Sequence, residues 1–110
     1  MAAKKKTTKK KAAREYVIVR CRDAGVHVGY LESITARHIT LSKSRRIHYW
    51  NGAASLSEIA VYGLNVDKSN GTRIAVELPT IRLRTSDHCE IIAMQPDAAR
   101  QIQEWAPWRA

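Results

Sequence analysis

Apolar and polar residues alternate over most of this chain, and the dominant period is two. Val17, Val19 and Cys21 fall on one face of a strand from Glu15 to Arg22, with Tyr16, Ile18, Arg20 and Arg22 on the other. Asp23-Ala24-Gly25 turns the chain, and Val26 to Ser33 returns as the second arm of a hairpin. Gly29 inside that arm predicts a bulge, a bend or a close backbone approach. Ile39 and Leu41 alternate with His38 and Thr40, Ser42 to Arg45 interrupts the pattern, and Ile47 to Trp50 resumes it. The third strand therefore either bends at the interruption or breaks there.

The period then changes. Asn51-Gly52 is a turn signal. Ser55-Leu56-Ser57-Glu58 fits a capping box, in which the Ser55 hydroxyl accepts from the Glu58 N–H and the Glu58 carboxylate reaches back to Ser55. Leu56, Ile59 and Ala60 form an apolar stripe at helical spacing, and Gly63 supplies the stop. A helix of about two turns is too short to stand alone, so it must dock on a sheet. After a polar loop from Asn65 to Asn70, alternation returns from Thr72 to Leu78. Pro79 interrupts it, and Ile81 and Leu83 then alternate with Arg82 and Arg84. Thr85 to His88 turns, and Cys89 to Met94 is so evenly apolar that it reads as a central strand. Pro96-Asp97 opens a last helix with Ala98, Ile102 and Trp105 on one face, and Pro107 ends it.

That order predicts a mainly β fold with short helices. The expectation is a small five-stranded, partly open barrel, OB-like or SH3-like, with one helix between strands three and four and another at the C-terminus.

Charge divides the chain in two. The formal net charge is +9, yet residues 1–14 hold seven basic side chains and no acid, while residues 15–110 hold 12 basic and 10 acidic ones. The basicity belongs to a tail, residues 1–14, and the domain, residues 15–110, is nearly balanced. Like charges at that density, with nothing apolar to offset ordering entropy, predict a disordered tail. Lys4, Lys5, Lys6, Lys9, Lys10 and Lys11 are candidates for phosphate contacts, with a purely solubilising tail as the alternative.

Within the domain, Arg20, Arg22, Arg46, His48, Trp50, Arg82 and Arg84 occupy strand faces opposite the aliphatic residues. Single-stranded nucleic acid binds such surfaces because phosphates attract arginine and bases stack on rings. The competing expectation is a solvated outer face with ion pairs to Glu32, Glu77 or Glu90. An aromatic content of 6% without phenylalanine weakens the stacking argument, and Tyr49 reads as core. Trp105 and Trp108 read as packing for the last helix, with a partner anchor as the alternative.

Other chemistry finds little support. Cys21, Cys89 and the four histidines lack the paired close spacing of a structural zinc site, so no metal is expected. No phosphate loop, nucleophile elbow or cofactor fingerprint occurs, so neither enzyme activity nor a cofactor is expected. No run has the apolar length to span a membrane, and the N-terminal lysines are not followed by the apolar stretch of a secretory signal.

Arg46-Ile47-His48-Tyr49-Trp50, followed by Gly52-Ala53-Ala54-Ser55-Leu56-Ser57-Glu58-Ile59-Ala60, resembles a family of short phage and prophage proteins of unknown function. The pattern has Arg-Ile, an aromatic cluster ending Tyr-Trp, then Gly-Ala-Ala-Ser-Leu-Ser, a polar residue, an aliphatic residue and Ala. A looser resemblance covers Tyr16 to Arg109, and His48 stands where the pattern has a third ring. The resemblance implies a phage context, hence a bacterial host cytoplasm or a virion, and no activity. Two functions are expected in order: an accessory protein binding nucleic acid mainly through phosphates with little sequence preference, then a protein-interaction module. The second would be a virion component, a host-defence inhibitor, a homo-oligomer or a nucleotide sponge.

Overall fold

The computed structural model describes residues 14–110, so the six tail lysines lie outside the described residues. Among the described residues, six strands and two α-helices follow in the order β1 (Tyr16–Cys21), β2 (Gly25–Ile34), β3 (His38–Tyr49), α1 (Leu56–Tyr62), β4 (Arg73–Ile74), β5 (Leu78–Arg84), β6 (Glu90–Ala93) and α2 (Pro96–Glu104). Short 3₁₀ turns occupy Val66–Lys68 and Thr85–Asp87.

The first three strands form an antiparallel meander. β3 is long enough to take two partners end to end along one edge: β5 pairs with His38 to Ser44, and β4 pairs with Ile47 and Tyr49. β6 returns to pair with β1, so the sheet runs β4-β3-β2-β1-β6 with β5 beside β4 on β3. The meander is mainly β as expected, but the five-stranded barrel is corrected on two points. The stretch from Thr72 to Arg84 divides into two strands, and no ladder joins β5 to β6, so the sheet stays open. The physical cause lies in residues 75–77, which leave the ladder between β4 and β5 as the chain moves from one half of β3 to the other.

The bend in β3 has an identifiable origin. Its register with β2 shifts between Val28 and Tyr30, at Gly29, and Lys43 adopts a positive φ of 47°. A Cβ built on Gly29 would lie 2.9 Å from the Ser42 carbonyl oxygen and 3.2 Å from the Ser44 Cα. The sequence signal at Gly29 is thus a close backbone approach that lets β3 fold back on the sheet.

Curling gives the sheet two buried faces. One carries Tyr16, Ile18, Val28, Ile47 and Ile74, covered by Ile59 and Ala60 of α1 and Ala99 and Ile102 of α2. The other encloses Val17, Val19, Cys21, Ile39, Leu41 and Leu83. β1 is therefore buried on both sides, and it is the strand whose run of apolar residues marks the centre. The apolar stretch from Cys89 to Met94, expected to be central, instead contains the edge strand β6. Its apolar residues are required because Ile92 packs on the helix-side core and Cys89 on the concave one.

The Ser55 hydroxyl accepts from the Glu58 N–H at 3.1 Å, and Gly63 closes α1 with a positive φ of 78° and a hydrogen bond from its N–H to the Ile59 carbonyl. The Glu58 carboxylate accepts from the Ala54 N–H at 2.8 Å, one residue earlier than a capping box places it. Gln101 ties the helices together, accepting from the Leu64 N–H and donating to the Leu64 carbonyl.

Arg45 completes the frame. Though buried, it donates to the carbonyls of Ile102 at 2.7 Å, Ala75 at 2.8 Å and Ile74 at 3.3 Å. These acceptors include the last turn of α2, where a cation meets the negative end of the helix. The interruption in the β3 pattern is therefore a buried cation that locks β3, β4 and α2 together.

Candidate nucleic-acid interface

The arginines expected to share one surface separate into groups with different surroundings. Arg20 stands on the helix-side face of β1 and pairs with Glu90 at 2.7 Å, across the β1–β6 ladder. Arg14 likewise pairs with Glu32 and lies over the Tyr30 ring. Among the described residues, Arg22, Arg46, Arg82 and Arg84 have no carboxylate partner within ion-pair distance. The ion-paired outer face thus holds for Arg20 and not for the other four.

Arg82 and Arg84 lie on the exposed side of β5, opposite Thr40 and His38 on β3. Arg84 shares a hollow of about 350 Å³ with Arg37, His38 and the Thr85–Ser86 turn. A neighbouring hollow of about 510 Å³ is lined by Arg82 and Arg84 on one side and Asp23 and Asp87 on the other. The two acids lower the positive potential there, and Arg22 sits at the same end of the molecule, its N–H bonded to the Asp87 carbonyl.

Arg46 stands on β3 opposite His27, near the start of β2. It shares a hollow of about 150 Å³ with His27, His48, Val76, Leu78 and Ile81. His27 is buried, with Nε2 2.9 Å from the Ala24 carbonyl oxygen. Burial lowers its pKa, and the nearby Arg46 and His48 act in the same direction. A neutral imidazole there must present its Nε2–H to the carbonyl.

The aromatic residues depart most from expectation. Trp50, a candidate stacking platform, is half-buried against the helix-side core. Tyr49, expected in the core, is 49% exposed because β4 at this edge is only two residues long and covers little of it. Trp105 packs on the core as expected, but Trp108 is 47% exposed. Its backbone N–H donates to the Ile74 carbonyl at 2.8 Å, which extends the β4 edge and fixes the ring beside β3. The His48 ring lies 5.3 Å from it, and the Arg73 guanidinium 5.1 Å over its face. Arg73 is in turn the ladder partner of Tyr49.

His48, Arg73 and Trp108 therefore make a cluster of accessible rings and a cation, with Arg46 and Tyr49 exposed nearby on β3. Arg73 was missed in the sequence because a single arginine next to a turn carries no pattern. Trp108 was weighed as packing because its ring is brought to β3 only by a C-terminal segment with no periodicity.

At the end of β1, the Cys21 and Cys89 sulfurs and an Asp87 carboxylate oxygen all lie within 4.8 Å of one another. Burial and the adjacent Cys89 push the Cys21 thiol up to about 12. A thiol held protonated in this way is a poor nucleophile at neutral pH.

Among the described residues no helix is long and apolar enough to cross a membrane. No curated protein and no solved structure matches the chain. A family model does match, over residues 14–102, which take in the whole sheet and most of α2. The chain belongs to the family described as a domain of unknown function (DUF6948).

Proposed function

We propose that this protein is a phage-type accessory protein that binds nucleic acid, chiefly through phosphates and with little sequence preference. The observation that carries the reading is the Trp108 ring, exposed at the sheet edge between His48 and the Arg73 guanidinium, with Tyr49 alongside. A base can stack on such a ring while adjacent cations take its phosphates. Arg22, Arg46, Arg82 and Arg84, unpaired among the described residues, add charge on the domain, and the six tail lysines supply long-range attraction. The phage context rests on the Arg46 to Ala60 motif. The SH3-like alternative is favoured over the OB-like one because β1, β2 and β3 form a sequential meander and β6 returns to β1; fold alone assigns no function.

The test titrates the full chain and a form lacking residues 2–11 against single- and double-stranded oligonucleotides at two ionic strengths. Affinity of the full chain should fall steeply with salt, and the deletion should flatten that slope. Equal inertness of both forms in dilute buffer overturns the reading.

A second reading, as a protein-interaction module, draws on the outer side of α1 and its following loop. Tyr62 there is 81% exposed, with Val61 and Val66 exposed beside it. A defined oligomer by light scattering, or a host protein retained after nuclease treatment, would favour it.

A further inference from the structure

The open side of the sheet is bridged by residues 85–89, which run from β5 on one edge to β6 on the other. The β1–β6 register sets Arg20 opposite Glu90. Continued by one residue, it sets Cys21 opposite Cys89, with both side chains on the concave face. Asp87 enters the same place from the 3₁₀ turn. Its carboxylate accepts from the Asp23 N–H at 3.0 and 3.1 Å and from the Ala24 N–H at 2.9 Å, so it is held in a fixed orientation. A carboxylate has about four lone-pair sites, and the two amide donors leave capacity for a further bond.

We propose that Cys21, Cys89 and Asp87 bind a thiophilic divalent cation, zinc by the chemistry of the donors, which clamps the 85–89 connection to the end of β1. Two sulfurs, each releasing its proton to solvent as the metal binds, and one carboxylate oxygen are a donor set zinc accepts, with water or another donor as the fourth ligand. In a tetrahedral zinc site such donor atoms lie about 3.5 Å apart. Their mutual separations of at most 4.8 Å thus require a contraction of at most about 1.3 Å. A disulfide between the same cysteines needs the sulfurs at about 2.05 Å and gives Asp87 no part. The amide hydrogen bonds that orient Asp87 are the outer shell a metal-ligating carboxylate needs. Cys21 is buried and Cys89 half-buried, whereas the half-buried Asp87 lines a hollow together with Asp23, Arg82 and Arg84, which gives access from solvent.

Spacing in the sequence could not suggest this site, because its ligands come from the first strand and the last connection. It is independent of the nucleic-acid reading, and its ligands form no part of the Trp108 edge.

The experiment uses the untagged full chain, stripped of metal and kept under a phosphine reductant. Cobalt(II) should produce a sulfur-to-metal charge-transfer absorption that saturates at one equivalent and is displaced by zinc. Zinc should raise the thermal midpoint by about 5 °C or more. Cys89→Ser, at the half-buried position, should abolish the charge-transfer band and weaken zinc binding at least about tenfold while the far-ultraviolet dichroism stays native. Glu90→Gln, on the opposite face of β6, should leave the band intact. Absence of the band in the folded wild-type chain overturns the proposal, as does its persistence in Cys89→Ser. So does a chain that takes up no metal when reduced but loses two hydrogens by mass when oxidised with glutathione disulfide, which would make the cysteines a dithiol pair.

Discussion

Arg45 shows how much one side chain can hold. Its guanidinium bonds to backbone carbonyls from β4, the segment after it and the last turn of α2, the first and last of them buried and the second partly so. Arg45→Met keeps the bulk but leaves the Ala75 carbonyl unmet and takes one donor from those of Ile74 and Ile102, which keep the Trp108 and Trp105 N–H groups; a buried orphan acceptor costs about 1–3 kcal/mol. A loss of about 3 kcal/mol is expected, read as a lower denaturant midpoint, and Arg45→Lys should recover only part of it. His27 sets the pH response. Its folded-state pKa is held below the unfolded value of about 6.5 by burial. Between the two values the unfolded chain binds the extra proton, so stability is complete above pH 6.5 and falls as pH drops toward the folded value. Thermal midpoints taken from pH 7.5 down to 5 should decline for the wild type. His27→Gln, which does not titrate, should flatten that decline.

At the scale of elements, the bend in β3 and the start of α1 respond differently to substitution. The Gly29 Cβ position meets the backbone of Ser42 and Ser44, which cannot move without disturbing the β2–β3 ladder. Gly29→Ala should therefore cost about 1–3 kcal/mol and change the packing of both cores. Ser55→Ala removes a solvent-exposed cap and nothing else, so about 1 kcal/mol is expected with the fold intact. Chemical denaturation of the two variants orders them, and a larger loss for Ser55→Ala would contradict the argument. The cap was legible because its partners lie three residues apart. The bend was legible as a glycine inside a strand, though not which backbone it approaches, because that backbone belongs to another strand.

Across the whole molecule, two accessible surfaces compete for a role. The Trp108 edge combines rings with cations, whereas the Tyr62 surface on α1 is apolar. Trp108→Ala should weaken single-stranded oligonucleotide binding by about 1–3 kcal/mol in a fluorescence-anisotropy titration, and Tyr62→Ser should leave it unchanged. The reverse pattern would transfer the functional surface to α1 and favour a protein partner.

The sequence alone determined what neighbouring residues decide by steric and hydrogen-bonding rules: which faces of β1, β3 and β5 are apolar, where α1 starts and stops, and that Gly29 marks an irregularity in its strand. It also divided the charge between tail and domain. Only the tertiary structure decided that β6 is an edge, that Arg45 is buried, that Trp108 stands beside Arg73 and His48, and that Cys21 meets Cys89. Each of these depends on which distant segments the curled sheet brings together, and periodicity along the chain carries no information about that pairing.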